Sequence, residues 1–241
     1  MNIILLAAGM GSRLGEKTKL IPKCMVSVNE TKIIDHLLKS ISHLKVENLV
    51  LVTGHLADTL INHVQSKWAH QYPLVFINNP IYDKTNNIYS LWLANEYMQQ
   101  EYMIIESDVF ADPKAFDSMH LDKNTWMVDH FTEKMDGCML TAQNQTRISK
   151  IEIIREKLNE YLPSQFKSVG IVKICQQNML ILDLLEHEIN QGNTNIYYDL
   201  FFAKYIDQIE LHIANIHPLK WIEIDNQNDL DLACNMFSEL E

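Results

Sequence analysis

The chain has 241 residues, 47% of them hydrophobic, enough to bury one sizeable core. A single domain over residues 1–241, without linker, low-complexity tail or repeat, is expected. A formal net charge of −11 repels a phosphate backbone, so no nucleic-acid partner is expected, and small anionic substrates need a local cationic pocket. Cys24, Cys138, Cys175 and Cys234 show neither zinc nor disulfide spacing and read as reduced thiols of a cytoplasmic protein; no basic leader and no membrane-length apolar run is present.

The predicted elements alternate along the first half. Ile3–Ala8 is a continuous apolar run ending in glycine, the pattern of a buried parallel strand. Apolar residues at helical spacing predict a helix over Ile33–Leu44, followed by a strand at Asn48–Thr53, a helix at Ala57–Trp68 and a strand at Leu74–Ile77. A helix over Asn87–Met98 leads to a strand at Tyr102–Glu106, whose end delivers Ser107 and Asp108. Short β-like runs follow at Trp126–Asp129, Cys138–Ala142, Ile148–Ile154 and Ser168–Ile174. Helices at Gln177–Glu188 and Ile196–Ile206, strands at Leu211–Ala214 and Trp221–Ile224, and a helix at Asp229–Leu240 complete the chain. This order predicts a three-layer α/β fold with a doubly wound, mostly parallel sheet. Residues 1–110 form a nucleotide-binding half, and 111–241 add substrate-side strands.

Gly9 and Gly11 directly follow the first strand, where open α/β sheets bind ligands. Glycines there let backbone N–H groups approach phosphates, and Arg13 and Lys23 add cations. Leu14 stands where both the P-loop pattern and the dinucleotide fingerprint require glycine, so both are excluded. An ordinary glycine-rich turn flanked by two solvated cations is the bland alternative.

The string Leu6-Ala7-Ala8-Gly9-Met10-Gly11-Ser12-Arg13-Leu14, followed by Pro22-Lys23, resembles the signature of the nucleotidyltransferases. Asn86-Asn87-Ile88-Tyr89-Ser90-Leu91-Trp92, Lys167-Ser168-Val169-Gly170 and Trp221-Ile222-Glu223-Ile224-Asp225 resemble later segments of bacterial choline-phosphate and phosphonate cytidylyltransferases. The resemblance runs from residue 3 to about 233 and departs at Ser107, where the family most often has glycine. It implies a Rossmann-like nucleotidyltransferase fold and transfer of a cytidylyl group from CTP to a small phosphorylated acceptor. It assigns Mg²⁺ to Asp108 and Asp225, the α-phosphate and acceptor to Lys23, and the leaving phosphates to Arg13. The nucleotide falls to Leu6, Ala7, Ala8, Gly9, Gly11, Ser12, Thr85, Asn86 and Asn87.

Each of these residues has a plainer role. Asp108 and Asp225 end strands before helical segments and suit N-caps; Asn86 and Asn87 suit a turn and a cap. For an amine-bearing acceptor the candidate walls are Tyr89, Tyr197, Tyr198 and Trp221 with Asp199 and Glu223; aromatic faces with carboxylates suit a quaternary ammonium. Trp92 and Trp126 are further candidates with a core role equally open, and Asp129 is an alternative partner for an ammonium. His36, His43, His55, His63 and His70 lack metal spacing and read as surface or packing residues. Competing readings are a sugar-1-phosphate nucleotidyltransferase, a nucleotide-sugar glycosyltransferase using Glu106-Ser107-Asp108, and a nucleotide-binding regulatory module. The glycosyltransferase reading leaves Arg13 and Lys23 without a purpose, and the regulatory module leaves both cations and both candidate metal carboxylates without one.

Overall fold

The apolar run after Met1 forms β1 (Asn2–Ala7), every residue of it buried. In the computed structural model, which describes residues 1–119, 122–132, 135–155, 160–175 and 179–238, the glycine loop then leads into a short α1 (Lys17–Leu20). A small hairpin of β2 (Ser27–Val28) and β3 (Thr31–Lys32) precedes α2 (Ile33–Ser40). This helix stops four residues short of the predicted Leu44. The Ser40 hydroxyl donates to the His36 carbonyl at 2.8 Å, and the chain tightens into turns over 41–44. β4 (Asn48–Thr53), α3 (Ala57–Trp68) and β5 (Leu74–Asn78) follow, the first two with the predicted bounds. α4 (Asn87–Leu93) gives way to a 3₁₀ turn at Asn95–Tyr97 where a longer helix was predicted.

β6 (Tyr102–Glu106) and a three-residue β7 (Val109–Ala111) flank Ser107 and Asp108. Then come β8 (Thr125–His130), β9 (Gly137–Gln143), β10 (Arg147–Ile154) and β11 (Gln165–Ile174). α5 (Met179–Asn190), α6 (Tyr198–Lys204), β12 (His212–Asn215), β13 (Trp221–Glu223) and α7 (Gln227–Met236) complete the order. Gln177 and Asn178 of the predicted helix before α5, and Glu239 and Leu240 of the predicted closing helix, lie outside the described residues.

Nine strands form one sheet in the order β5-β4-β1-β6-β11-β8-β12-β10-β9. The first four are parallel, as predicted. Beyond β6 the expectation of a mostly parallel sheet fails. β11 runs antiparallel to β6, β8 and β9, and β10 antiparallel to β9 and β12; among the described residues of this part only β8 and β12 pair in parallel. The cause is partly local. β9 and β10 form a hairpin through Asn144 and Gln145, both left-handed at φ 50° and 56°. Such a turn usually advertises itself with glycine, and here it does not.

Strand alternation gives each sheet face its own core. Ile4, Leu6, Val50 and Ile104 pack with Ile88 and Leu91 of α4 and Phe201 and Phe202 of α6. Ile3, Leu5, Leu51 and Met103 pack with Leu37 of α2 and Leu60 and Val64 of α3. A third cluster joins Leu14, Val26 and Val28 to Phe110, Ile224, Leu230 and Phe237. It fastens the segment after the glycine loop to β7 and α7, and each fully buried side chain of this size contributes about 1.5–3 kcal/mol.

Between α2 and α3, the buried carboxylate of Asp35 accepts from Trp68 Nε1 at 2.8 Å, Lys67 Nζ at 2.9 Å and His63 Nε2 at 3.0 Å. Burial alone raises the Asp35 pKa, but these donors outweigh it and hold it below 3.8. Because folding lowers this pKa, the stabilisation is present above the unfolded value and is lost as pH falls through the folded one. Asp35→Asn is therefore expected to cost about 1–3 kcal/mol at neutral pH. In urea unfolding, its gap from the wild type is expected to close as acid protonates the Asp35 carboxylate; a gap independent of pH would show that charge is not the stabiliser.

Candidate active site

A cleft of about 430 Å³ opens at the carboxyl ends of β1 and β6. β11 makes room for it. Its C-terminal part pairs with β6 over Ile171–Ile174, whereas Gln165–Lys167 pair with β9 instead. The change of partner coincides with a register break between Ser168 and Val172 around Gly170, which has φ +78°. A Cβ at residue 170 would lie 3.0 Å from the Glu106 carboxylate, so the glycine also lets the two strands approach.

The glycine loop forms the cleft's upper wall. Gly11 sits at φ +62°, and a Cβ there would come within 2.8 Å of Lys23 Cβ. Lys23 thus packs straight onto the loop backbone. Thr18 Oγ1 donates to the Gly11 carbonyl at 2.9 Å, and the His55 ring lies 2.9 Å from the Thr18 carbonyl. The backbone N–H groups of Gly9, Met10 and Gly11 find no acceptor among the described residues and remain available to an anion.

Asp108 and Asp225 are brought together by a pairing the sequence did not reveal. β7 and β13 run antiparallel, with Val109 opposite Glu223, and the Ile224 N–H donates to the Asp108 carbonyl at 3.0 Å. The two carboxylates share one cation: Lys23 Nζ pairs with Asp108 Oδ2 and lies 2.6 Å from Asp225 Oδ1. Arg13, 70% exposed at its side chain, reaches Asp225 Oδ1 at 2.8 Å. Burial lowers the Lys23 pKa, but the two aspartates outweigh it and keep the ammonium charged. Burial raises the Asp225 pKa and Lys23 then carries it below the usual carboxylate range. Neither aspartate caps a helix. Asn226 caps α7 through a reciprocal box with Asp229, and Asp108 leads into a strand.

A second acidic group lines the far end. Lys167 Nζ pairs with Glu223 Oε2 at 2.9 Å. Glu106 and Asp199 form no salt bridge among the described residues. Burial, and for Glu106 also the neighbouring charges of Asp199, Asp108 and Glu223, raises both their pKa values. Glu223 is also raised, burial outweighing Lys167. Cys24 and Cys138 line the cleft as buried thiols with raised pKa values, that of Cys24 pushed up to about 12, chiefly by burial.

Leu6, Ala7, Ala8, Gly9, Gly11, Ser12, Arg13, Lys23, Thr85, Asn86, Asn87, Asp108, Tyr197, Asp199, Glu223 and Asp225 all line this one cleft. Tyr89, Tyr198 and Trp221 do not. Tyr198 is fully buried and stacks on Trp126, because the first turn of α6 points it into the core. Trp221 donates to Asp129 at 2.9 Å and packs beneath β7. That contact removes Asp129 from the cleft too. Tyr89 lies against Trp92, ring centres 5.4 Å apart. Of the aromatic walls expected around the acceptor, Tyr197 alone lines the cleft, and Arg155 already lies 5.6 Å over its ring, while Tyr82, which lines the cleft too, packs by Gly54 and His55 beside the glycine loop. Lys167 and Glu106 stood inside motifs already singled out, without an assigned part; Tyr82 and Arg155 carried no sequence signal.

Comparison with known proteins follows the same line. A family model, the MobA-like NTP transferase domain, matches residues 3–120. The 2-aminoethylphosphonate cytidylyltransferase of Lancefieldella rimae is 32% identical over 95% of this chain and 90% of its own length. The chain belongs to the nucleotidyltransferase family. The CTP:phosphoglutamine cytidylyltransferase of Campylobacter jejuni is 28% identical over 96% of this chain and 98% of its own. The structure of the Streptococcus pneumoniae CTP:phosphocholine cytidylyltransferase superposes with a TM-score of 0.83 at 18% identity, covering 98% of both chains, which shows the shared α/β fold. This nucleotidyltransferase thus groups with cytidylyltransferases, and no helix among its described residues is long and apolar enough to cross a membrane.

The site also fits a magnesium ion. Such an ion takes one or two carboxylates and keeps its other positions for water and phosphate oxygens. Asp108 and Asp225 offer hard oxygen donors side by side, and Asp108 Oδ1 is buried without a hydrogen-bond partner among the described residues.

Proposed function

We propose that this nucleotidyltransferase moves the cytidylyl group of CTP onto a small, amine-bearing phosphomonoester or phosphonate and releases pyrophosphate. The observation that supports it most is the Lys23 ammonium shared by Asp108 and Asp225, directly under a glycine loop with free N–H groups. An acceptor phosphate oxygen attacks the α-phosphorus of CTP; that P–O bond forms as the bond to the bridging oxygen breaks, and pyrophosphate departs with the electron pair. The nucleophile is already anionic, so no general base is required, and the protein positions and neutralises.

Two of the three Lys23 N–H donors are taken by the aspartates; the third has no partner among the described residues and is left for the α-phosphate. Arg13 and the N–H groups of Gly9, Met10 and Gly11 hold the β- and γ-phosphates. Asp108 and Asp225 would hold Mg²⁺, which supplies charge neutralisation on the triphosphate. Leu6, Ala8, Thr85 and Asn86 border the base, although Thr85 and Asn86 also serve locally: the Thr85 hydroxyl donates to the Ile81 carbonyl, and Asn86 caps α4. With this reading goes the division into a nucleotide half over 1–110 and an acceptor half over 111–241, in three layers.

At the acceptor end, Glu106 and Asp199 offer carboxylates rather than aromatic faces. A protonated amine can donate hydrogen bonds to them; a trimethylammonium cannot, and depends on ring faces. With CTP and Mg²⁺, kcat/KM is therefore expected to fall by about tenfold or more from phosphoethanolamine through its N-methyl and N,N-dimethyl forms to phosphocholine. Activity that rises with methylation would reject recognition by ion pairing.

A further inference from the structure

Asn87 lines the cleft beside the region assigned to the base, yet its carboxamide is already engaged elsewhere. Its Oδ1 accepts from the backbone N–H of Tyr198 at 2.8 Å, more than a hundred residues along the chain. That N–H is the first of α6, a helix whose preceding residue, Tyr197, provides no side-chain cap. The first N–H groups of a helix lack partners within it, so another segment has to supply the acceptor. Because the partner is a donor, the atom facing it must be the amide oxygen, which fixes the orientation of the carboxamide.

The neighbouring backbone repeats the link: the Asn86 N–H donates to the Thr194 carbonyl at 3.0 Å. Tyr197 and Asp199, on either side of the anchored peptide, both line the acceptor end, and Asp199 is only 5% exposed. We propose that Asn87 is a positioning residue for the acceptor, holding the start of α6 so that Tyr197 and Asp199 face the cleft, and not a reader of the base. The inference rests on the functional reading above, in which CTP lies along the glycine loop and the acceptor lies by Asp199.

Two substitutions separate the roles. Asn87→Ala removes the acceptor of the Tyr198 N–H; Asn87→Asp keeps an acceptor oxygen but removes the amide donors that base recognition would need. Asn87→Ala is expected to raise the acceptor KM by about tenfold or more while the CTP Kd, from calorimetry, stays within about twofold. Asn87→Asp is expected to keep the acceptor KM within about threefold of the wild type. Exchange of the Tyr198 amide, followed by NMR, should accelerate in Asn87→Ala and stay protected in Asn87→Asp. A weakened CTP Kd with unchanged acceptor KM in both variants would overturn the proposal. So would unchanged Tyr198 protection in Asn87→Ala, a readout that needs no turnover. If the wild-type protein turns over no CTP with any acceptor, the functional reading fails, and the exchange experiment still decides whether Asn87 anchors α6.

Discussion

Asp108→Ala is expected to lower the rate of pyrophosphate release by about a thousandfold or more, which corresponds to about 4 kcal/mol of transition-state stabilisation. The side chain stands where β6 turns into β7, with one carboxylate oxygen on Lys23 and the other buried without a partner among the described residues. An orphaned buried oxygen costs folding energy, so its retention points to work done in the loaded enzyme. Removing it leaves Lys23 paired with Asp225, and the melting temperature is expected to change little. Asp108→Asn keeps the shape and removes the charge, and should be nearly as inactive. Turnover close to wild type in either variant would take Asp108 out of the mechanism.

Lys23→Ala is expected to cost at least about a hundredfold in turnover, by losing the cation aimed at the α-phosphate. Its structural consequence differs from that of Asp108→Ala. The Lys23 side chain is only 14% exposed and neutralises two carboxylates at once. Without it Asp108 and Asp225 repel one another, and the melting temperature should fall. Added Mg²⁺ should then raise the melting temperature of Lys23→Ala more than that of the wild type, because an ion replaces the missing charge. Equal Mg²⁺ responses would mean that the two aspartates do not form the ion's site, whatever the kinetics.

Much of this site was legible in the sequence because it depends on local patterns. A buried apolar run that ends in Gly9-Met10-Gly11 fixes β1 and its loop, and an apolar run ending in Glu106-Ser107-Asp108 fixes β6. What was not legible depends on contacts between distant, short segments. β7 is three residues long and too short for periodicity, and although β13 falls within the strand predicted at Trp221–Ile224, nothing local reveals that the two pair and set Asp108 against Asp225. The β9–β10 turn uses Asn144 and Gln145 in place of a glycine, which hid the hairpin and with it the antiparallel half of the sheet. Adjacent tyrosines illustrate the same limit: Tyr197 faces the cleft and Tyr198 the core, a difference set by how α6 docks on α4.

The central claim is tested most directly with CTP labelled at the α-phosphate. Incubated with the protein, Mg²⁺ and phosphoethanolamine, 2-aminoethylphosphonate or a phosphorylated amino acid, the label should pass into a CDP- or CMP-linked product with one of these acceptors, with an equal amount of pyrophosphate formed. Label that stays in CTP with every amine-bearing acceptor, while UTP or dTTP and a sugar 1-phosphate yield pyrophosphate, would contradict it.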